Sequence, residues 1–265
     1  MKIINKVYNI NSYLNKNIVL ISDIHYSNKK DIKRLNHVLN NIKNIKPDFI
    51  CIPGDLIDKS QIEDEEDFIK WLKKLSSISK IIISIGNHEF YINKKRKIYG
   101  LNKSFFNKIS NINNIYLLDN KNIVIDNINF IGFTQPIECY ENSKSFSKYI
   151  KCIKTYKKYY NVLLCHSPEN ICDNNILNKL NVDLILCGHM HGGVVPLFLR
   201  KIFKNRGLIS PGMGLFPKNV YGNIKIRDAN IIITSGIRIL PYRILNNIFN
   251  IEVVNINLTF NKKYV

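Results

Sequence analysis

Five short apolar runs in this chain each break off at residues that carry chemistry, and this repetition constrains the fold more than any other feature. NIVLIS (17–22) stops at Asp23-Ile24-His25, DFICIP (48–53) at Gly54-Asp55, and KIIISI (80–85) at Gly86-Asn87-His88-Glu89. NVLLC (161–165) stops at His166, and VDLILC (182–187) at Gly188-His189-Met190-His191. Short β-branched and aliphatic runs with no polar alternation read as strands buried on both faces.

The segments between them complete a pattern. DIKRLNHVLNNIKNI (31–45) sets Ile32, Leu35, Val38, Leu39 and Ile42 at helical spacing, with Pro47 just beyond its end. Phe68, Ile69, Leu72 and Leu75 mark a second helix, whose acids (EDEED, 63–67) lie at the N-terminal end favoured by the helix dipole. Strand, helix, strand, helix, strand predicts a parallel sheet covered by helices. After a helical stretch near 94–110, the runs NIYLLD, NIVID and INFIGF (114–133) read as hairpin-connected strands, with Asp126-Asn127 as one turn. A polar segment over 142–158 reads as helical, a further helix precedes VDLILC, and the tail (NIKI, NIIITSG, IEVVNINLTF) alternates strands with turns. The expectation is an α/β fold in which a second sheet, mixed or antiparallel, packs on the first. No Pro/Gly/Ser-rich linker divides the chain, so one domain over 1–265 is expected.

In an open α/β sheet the carboxyl ends of parallel strands share an edge, and ligands bind there. Asp23, His25, Asp55, Asn87, His88, His166, His189 and His191 are therefore expected to converge on one crevice. They include five of the six histidines; the sixth, His37, falls in the first predicted helix. Singly, Asp55 reads as a helix cap and Asn87 as an Asx turn. A whole set at successive strand ends does not reduce to such accidents. Imidazole nitrogens with carboxylate and amide oxygens, and no thiolate cluster, suit Mn, Fe or Zn better than Ca or Mg. Eight positions exceed what one ion takes, and two divalent ions sharing one bridging carboxylate accommodate them.

Composition adds less. The formal charge is +19, from 39 basic and 20 acidic residues. The lysines run along the whole chain without a basic tail, so nucleic-acid binding is not the favoured reading, although the net field draws anionic substrates and membranes. The six cysteines show no CxxC spacing; Cys51, Cys165 and Cys187 each end an apolar run and read as buried core thiols, and a reducing compartment is expected. The first residues lack an apolar core with a cleavage site, and no uncharged apolar run reaches about 18 residues. The expected location is cytoplasmic. One segment, VVPLFLRKIFKNRG (194–207), interleaves Leu197, Phe198, Leu199, Ile202 and Phe203 with Arg200, Lys201, Lys204 and Arg206. Either its apolar residues fold back on the core, or it is a basic amphipathic segment in peripheral contact with an anionic membrane or a lipid tail.

The motifs DIH, GD, GNHE, a single H and GHMH, in that order, resemble those of the calcineurin-like metallophosphoesterases, from about Asn17 to the end. GHMHGG, the apolar segment after it, Tyr221-Gly222 and NIEVVNINL are most similar to the bacterial YkuE/YaeI-like phosphodiesterase branch. The resemblance implies a four-layer α/β/β/α sandwich and a metal-dependent phosphoric ester hydrolase. Its substrate would be a small or lipid-linked phosphodiester or pyrophosphate, cleaved by in-line attack of a water activated between two metals. It also implies that Asp23, His25, Asp55 and His191 hold one ion, and Asp55, Asn87, His166 and His189 the other, with Asp55 bridging. His88 would face the phosphate or protonate the leaving oxygen, and Glu89 would orient a histidine from behind. The branch commonly carries GHTHGGQ, where this chain has Met190 and Val194. Neither position is a ligand, so the departure bears on substrate contacts. A nuclease or phosphomonoesterase using the same site remains an alternative, as does an inactive scaffold, which the intact ligand set opposes. Substrate choice is expected in the loops 93–110, 136–147 and 194–220.

Overall fold

Strand β2 (Lys16–Leu20) alternates between two destinations. Ile18 and Leu20 enter one hydrophobic cluster, Val19 and the following Ile21 enter another, and all four are fully buried. Such a strand has apolar layers on both sides, as period-two geometry dictates. The structure is a computed structural model that describes residues 2–60, 62–91, 100–141, 148–169, 171–172, 174–211, 214–237 and 251–260.

Two six-stranded mixed sheets result. The first runs β1 (Ile3–Ser12), β12 (Ile251–Phe260), β2, β3 (Phe49–Pro53), β4 (Lys80–Ser84), β5 (Ile115–Leu117). The second runs β10 (Gly222–Ile226), β11 (Ala229–Ile233), β9 (Leu184–Cys187), β8 (Tyr160–Cys165), β7 (Ile128–Phe133), β6 (Lys121–Ile125). Ile18, Leu20, Phe49 and Ile82 of the first meet Phe130, Leu164, Leu184 and Leu186 of the second, with the Phe49 and Phe130 ring centroids 4.8 Å apart. The outer face of the first sheet is covered by α1 (Ile32–Ile45), α2 (Glu65–Ser76) and α3 (Lys103–Ser110) through Leu35, Val38, Phe68, Trp71 and Phe105. The outer face of the second carries Cys139 of α4 (Ile137–Glu141), Leu177 of α5 (Asn174–Leu177), Ile153 and Ile171. The layers are α/β/β/α, as the resemblance implied. Among the described residues no helix is long and apolar enough to cross a membrane.

Several expectations need correction. β5 does not pair in a hairpin with β6. It lies parallel to β4 in the first sheet, because α3 supplies the crossover that a parallel connection requires. The hairpin is β6–β7, turning at Asp126 (φ 51°) and Asn127 (φ 64°), the doubly positive pair that matches strand twist. β12 leaves the tail hairpin and inserts between β1 and β2 of the first sheet. Residues 148–158 hold one 3-10 turn, Ile150–Cys152, instead of the expected helix. There the Asn161 side chain accepts from Tyr156 N and donates to the Tyr156 and Tyr159 carbonyls, satisfying an irregular backbone. The rest of that segment, 142–147, and the first part of the 94–110 stretch lie outside the described residues.

Leu164, fully buried between the sheets, tests this layering against Val7, 55% exposed on β1. In denaturant unfolding Leu164→Ala should cost about 2–5 kcal/mol. Val7→Ala should stay within roughly 0.5 kcal/mol. Equal costs would contradict the two-sheet core.

Candidate metal centre

The parallel strands β2, β3 and β4 of one sheet and β8 and β9 of the other end at a common edge, where the chain must turn sharply. It does so on unusual backbone. Asp23 (φ 52°), His25 (φ 45°), Asp55 (φ 54°), His189 (φ 68°) and His191 (φ 46°) all lie in the left-handed region. Asp and His tolerate that region better than most residues, yet each instance costs of order 1–3 kcal/mol and persists only where the surroundings enforce it. Enforcement is visible in the hydrogen bonds. His25 N donates to Asp55 O at 3.0 Å, Gly188 N to His166 O at 3.0 Å, and His189 N to both Asp23 oxygens at 3.1 and 3.2 Å. The last of these crosses from one sheet to the other. At Gly86 a Cβ would stand 2.3 Å from Asp55 Oδ1, so only glycine lets the β4 turn approach that carboxylate.

The structure brings the predicted residues together as two triads linked by a third grouping. Donor atoms of Asp23, His25 and His191 lie within 4.8 Å of one another, and so do those of Asp55, His166 and His189; His25, Asp55 and His88 form the third group, which shares one member with each of the other two. Asp55 stands between them. Its Oδ2 is 3.0 Å from His166 Nε2 and 3.6 Å from His25 Nε2, and its Oδ1 accepts from His88 N at 3.0 Å. His191 Nε2 is 3.7 Å from Asp23 Oδ1. Buried Asn87 Oδ1 has no hydrogen-bond partner among the described residues, an orphan oxygen that a cation would satisfy. His166 Nδ1 lies 2.7 Å from the Pro53 carbonyl, which can only accept, so the ring proton sits on Nδ1 and Nε2 is turned to Asp55. Oxygen and imidazole donors of this kind fit divalent transition metals. Thiolates do not enter: burial holds the Cys165 and Cys187 thiols well above their usual range.

Charge is distributed unevenly over these groups. Burial opposes a charge on Asp55, but the facing His166, then His88, outweigh it and hold the carboxyl well below its usual range. Burial likewise opposes a charge on His166, and Asp55 overrides it, pushing the pKa to about 9. His189 goes the other way, well below the usual histidine value, through burial and the neighbouring His166.

Glu89 does not orient a histidine. Its buried carboxylate accepts from four backbone N–H groups: Gly86 at 2.8 Å, Asp55 at 3.2 Å, Leu56 at 2.6 Å and Ile57 at 3.3 Å. It thereby staples the turn after β4 to the turn after β3. Burial, then Asp55, pushes its pKa up to about 7.

Two neighbours escaped the sequence reading. The Asp58 carbonyl faces His88 Nδ1 at 2.8 Å, and its carboxylate lies 3.7 Å from His25 Nδ1. Tyr140 of α4 sets its ring centroid 5.2 Å from that of His189, and its buried hydroxyl has no hydrogen-bond partner among the described residues. Asp58 follows the GD motif closely enough to have been suspected. Tyr140 carries no such signal beyond lying in a loop assigned to substrate choice.

Comparison with known proteins gives a family match and several relatives. The calcineurin-like phosphoesterase family model matches residues 16–193 and stops short of the C-terminal end that the resemblance was expected to reach. The chain is similar to the uncharacterized metallophosphoesterase YkuE of Bacillus subtilis, 26% identical over 183 residues that make up 68% of this chain and 59% of that protein. It is also similar to the uncharacterized metallophosphoesterase Cj0846 of Campylobacter jejuni, 24% identical over 194 residues, 72% of this chain and 48% of that one. The chain thus spans about half the length of the curated relatives it matches. Among solved structures, a dimetal phosphatase from Danio rerio aligns at 13% identity over 85% of this chain and 89% of its own, with a TM-score of 0.44.

The raised His166 pKa gives a pH signature in metal-free protein. A histidine raised by its partner stabilises fully below its unfolded pKa, near 6.5, and that stability is lost as pH rises through about 9. Unfolding free energy measured in chelator should therefore fall across this window, and Asp55→Asn should flatten the fall. An unchanged slope in the variant would show that the pair does not govern it.

Proposed function

The chain belongs to the calcineurin-like phosphoesterase family, and from there we propose that it is a phosphodiesterase dependent on two divalent metal ions, acting on a small or lipid-linked phosphodiester or pyrophosphate. The observation that carries the reading is the pair of N/O triads meeting at Asp55. Asp23, His25 and His191 would hold one ion, Asn87, His166 and His189 the other, and Asp55 would serve both. When bound, the ions supply Lewis acidity, which makes a water nucleophilic near neutral pH and neutralises phosphate charge.

The chain's own groups do the rest. Asp23 and Asp55 would contribute negative charge toward the bound cations, and Asn87 would add an oxygen without charge. His88, whose side chain is 26% exposed, is among the most open of the site residues. Its Nδ1 faces a carbonyl and so keeps its proton. The exchangeable proton is then on Nε2, from which the imidazolium can protonate a departing alkoxide and remain in the neutral Nδ1–H tautomer. Tyr140 stays protonated, since burial and then Asp55 hold its phenol well above the usual value, and its hydroxyl can donate to a phosphate oxygen. None of the six cysteines forms a disulfide, which supports a reducing compartment such as the cytoplasm.

The test is hydrolysis of an aryl phosphodiester beside the matching monoester after metal is stripped and Mn²⁺ restored. Metal-dependent diester cleavage is expected, abolished in Asp55→Asn. His88→Ala should lose about 10²–10⁴-fold in kcat while retaining metal. Cleavage of the monoester alone would reassign the reaction, and a His88→Ala variant with near-full rate would remove His88 from it.

A further inference from the structure

Between Asp183 and Asp228 the chain contains no Asp or Glu but seven basic residues: Arg200, Lys201, Lys204, Arg206, Lys218, Lys225 and Arg227. The whole chain carries 39 basic to 20 acidic residues, so this stretch departs from the general scatter of lysines. The same stretch holds the four most exposed large hydrophobic side chains among the described residues: Phe198 (75%), Ile202 (74%), Leu215 (73%) and Phe216 (61%). Apolar groups this exposed, beside uncompensated positive charge, are a poor fit to bulk water and a good fit to an anionic bilayer interface.

These side chains stand on a tied-down platform. Leu208 N and Ile209 N donate to Gly193 O at 2.7 and 3.2 Å, Phe216 N to Leu208 O at 3.0 Å, and Gly207 N to Pro217 O at 2.8 Å. Arg200 bolts it to the sheet. Its Nη1 is 3.1 Å from Glu252 Oε2 of β12, its guanidinium lies 4.5 Å from the Tyr221 ring centroid, and Tyr221 Oη donates to its carbonyl at 2.9 Å. A Cβ at Gly192 would stand 2.3 Å from Arg200 Nη2, so the guanidinium rests on the backbone directly after His191. Arg200 is therefore an internal anchor rather than one of the lipid-facing charges of the amphipathic reading. Lys201, Lys204, Arg206 and Lys218 of the same stretch are also exposed.

We propose that residues 198–211 and 214–218 form a docking surface for an anionic lipid bilayer, fixed beside the His191 side of the metal centre so that membrane-borne phosphate meets the site. The docking stands on the surface alone. The delivery of lipid-borne phosphate rests on the phosphodiesterase reading above. Basic residues with exposed Phe198 and Phe216 also suit nucleic acid, but the equally exposed aliphatic Ile202 and Leu215 neither stack on bases nor bind phosphate, and they favour the bilayer.

The experiment is co-sedimentation of the full chain with vesicles of phosphatidylcholine alone and of phosphatidylcholine mixed with phosphatidylglycerol. Pelleting is expected with the anionic vesicles and should weaken with added salt. The double variants Phe198→Ser/Ile202→Ser, Leu215→Ser/Phe216→Ser and Lys201→Glu/Lys204→Glu should each reduce the bound fraction roughly tenfold, without lowering the melting temperature. No pelleting, or pelleting indifferent to all three variants, would overturn the proposal. So would a concentration-dependent dimer dissolved by Phe198→Ser/Ile202→Ser, which would give the face to a second copy, or duplex DNA bound in place of vesicles. Vesicle binding that persists in a chain unable to cleave any ester would keep the docking surface and reject the phosphodiesterase.

Discussion

The Asp55 carboxylate is the point at which the polar edges of the two sheets meet. It faces His25 and His88 from its own sheet and His166 from the other, and it is almost wholly buried. A buried carboxylate without compensating partners would be strongly destabilising. The partners are therefore not optional, and reaching them dictates the local backbone. The left-handed residues at Asp23, His25, Asp55, His189 and His191, and the glycine contact at Gly86, are consequences of bringing five strand ends within reach of one another.

A second buried carboxylate clarifies the first. Glu89 spends its oxygens on four backbone N–H groups, and burial and then Asp55 push its pKa up against those bonds, while Asp55 faces imidazoles and its pKa falls. One acid fastens two turns together and the other is left as an anion pointing at nitrogen donors. The division separates the group that builds the site from the group available to a cation. Of the strained turns, the staple reaches the one at Asp55.

The strands that end at the site were legible because burial on both faces leaves a continuous apolar run, and because parallel strands must end on one edge. The edge strand β1 was not, nor was the sheet to which β5 and β12 belong. β1 carries exposed Val7 among Asn and Lys and has no local pattern to betray it, and its partner β12 pairs Ile3 with Ile251, across nearly the whole chain. β5 was misassigned because three short apolar runs in succession look like a meander, whereas α3 had already committed the first of them to the other sheet. The eight residues that gather at this edge could be named, since each lies in a strand-end motif. The role of Glu89 could not, since its partners are backbone groups that no residue pattern encodes. Arg200 read as one basic residue among several, and only its contact with Glu252 and its seat against Gly192 separate it from the exposed lysines.

The central claim is that the two triads are two cation sites sharing one carboxylate. Anomalous diffraction at the manganese edge, from crystals grown with Mn²⁺, tests it most directly. The account predicts two peaks in each chain, one enclosed by Asp23, His25 and His191, the other by Asn87, His166 and His189, with Asp55 between them. A single peak, or peaks away from these residues, would contradict it.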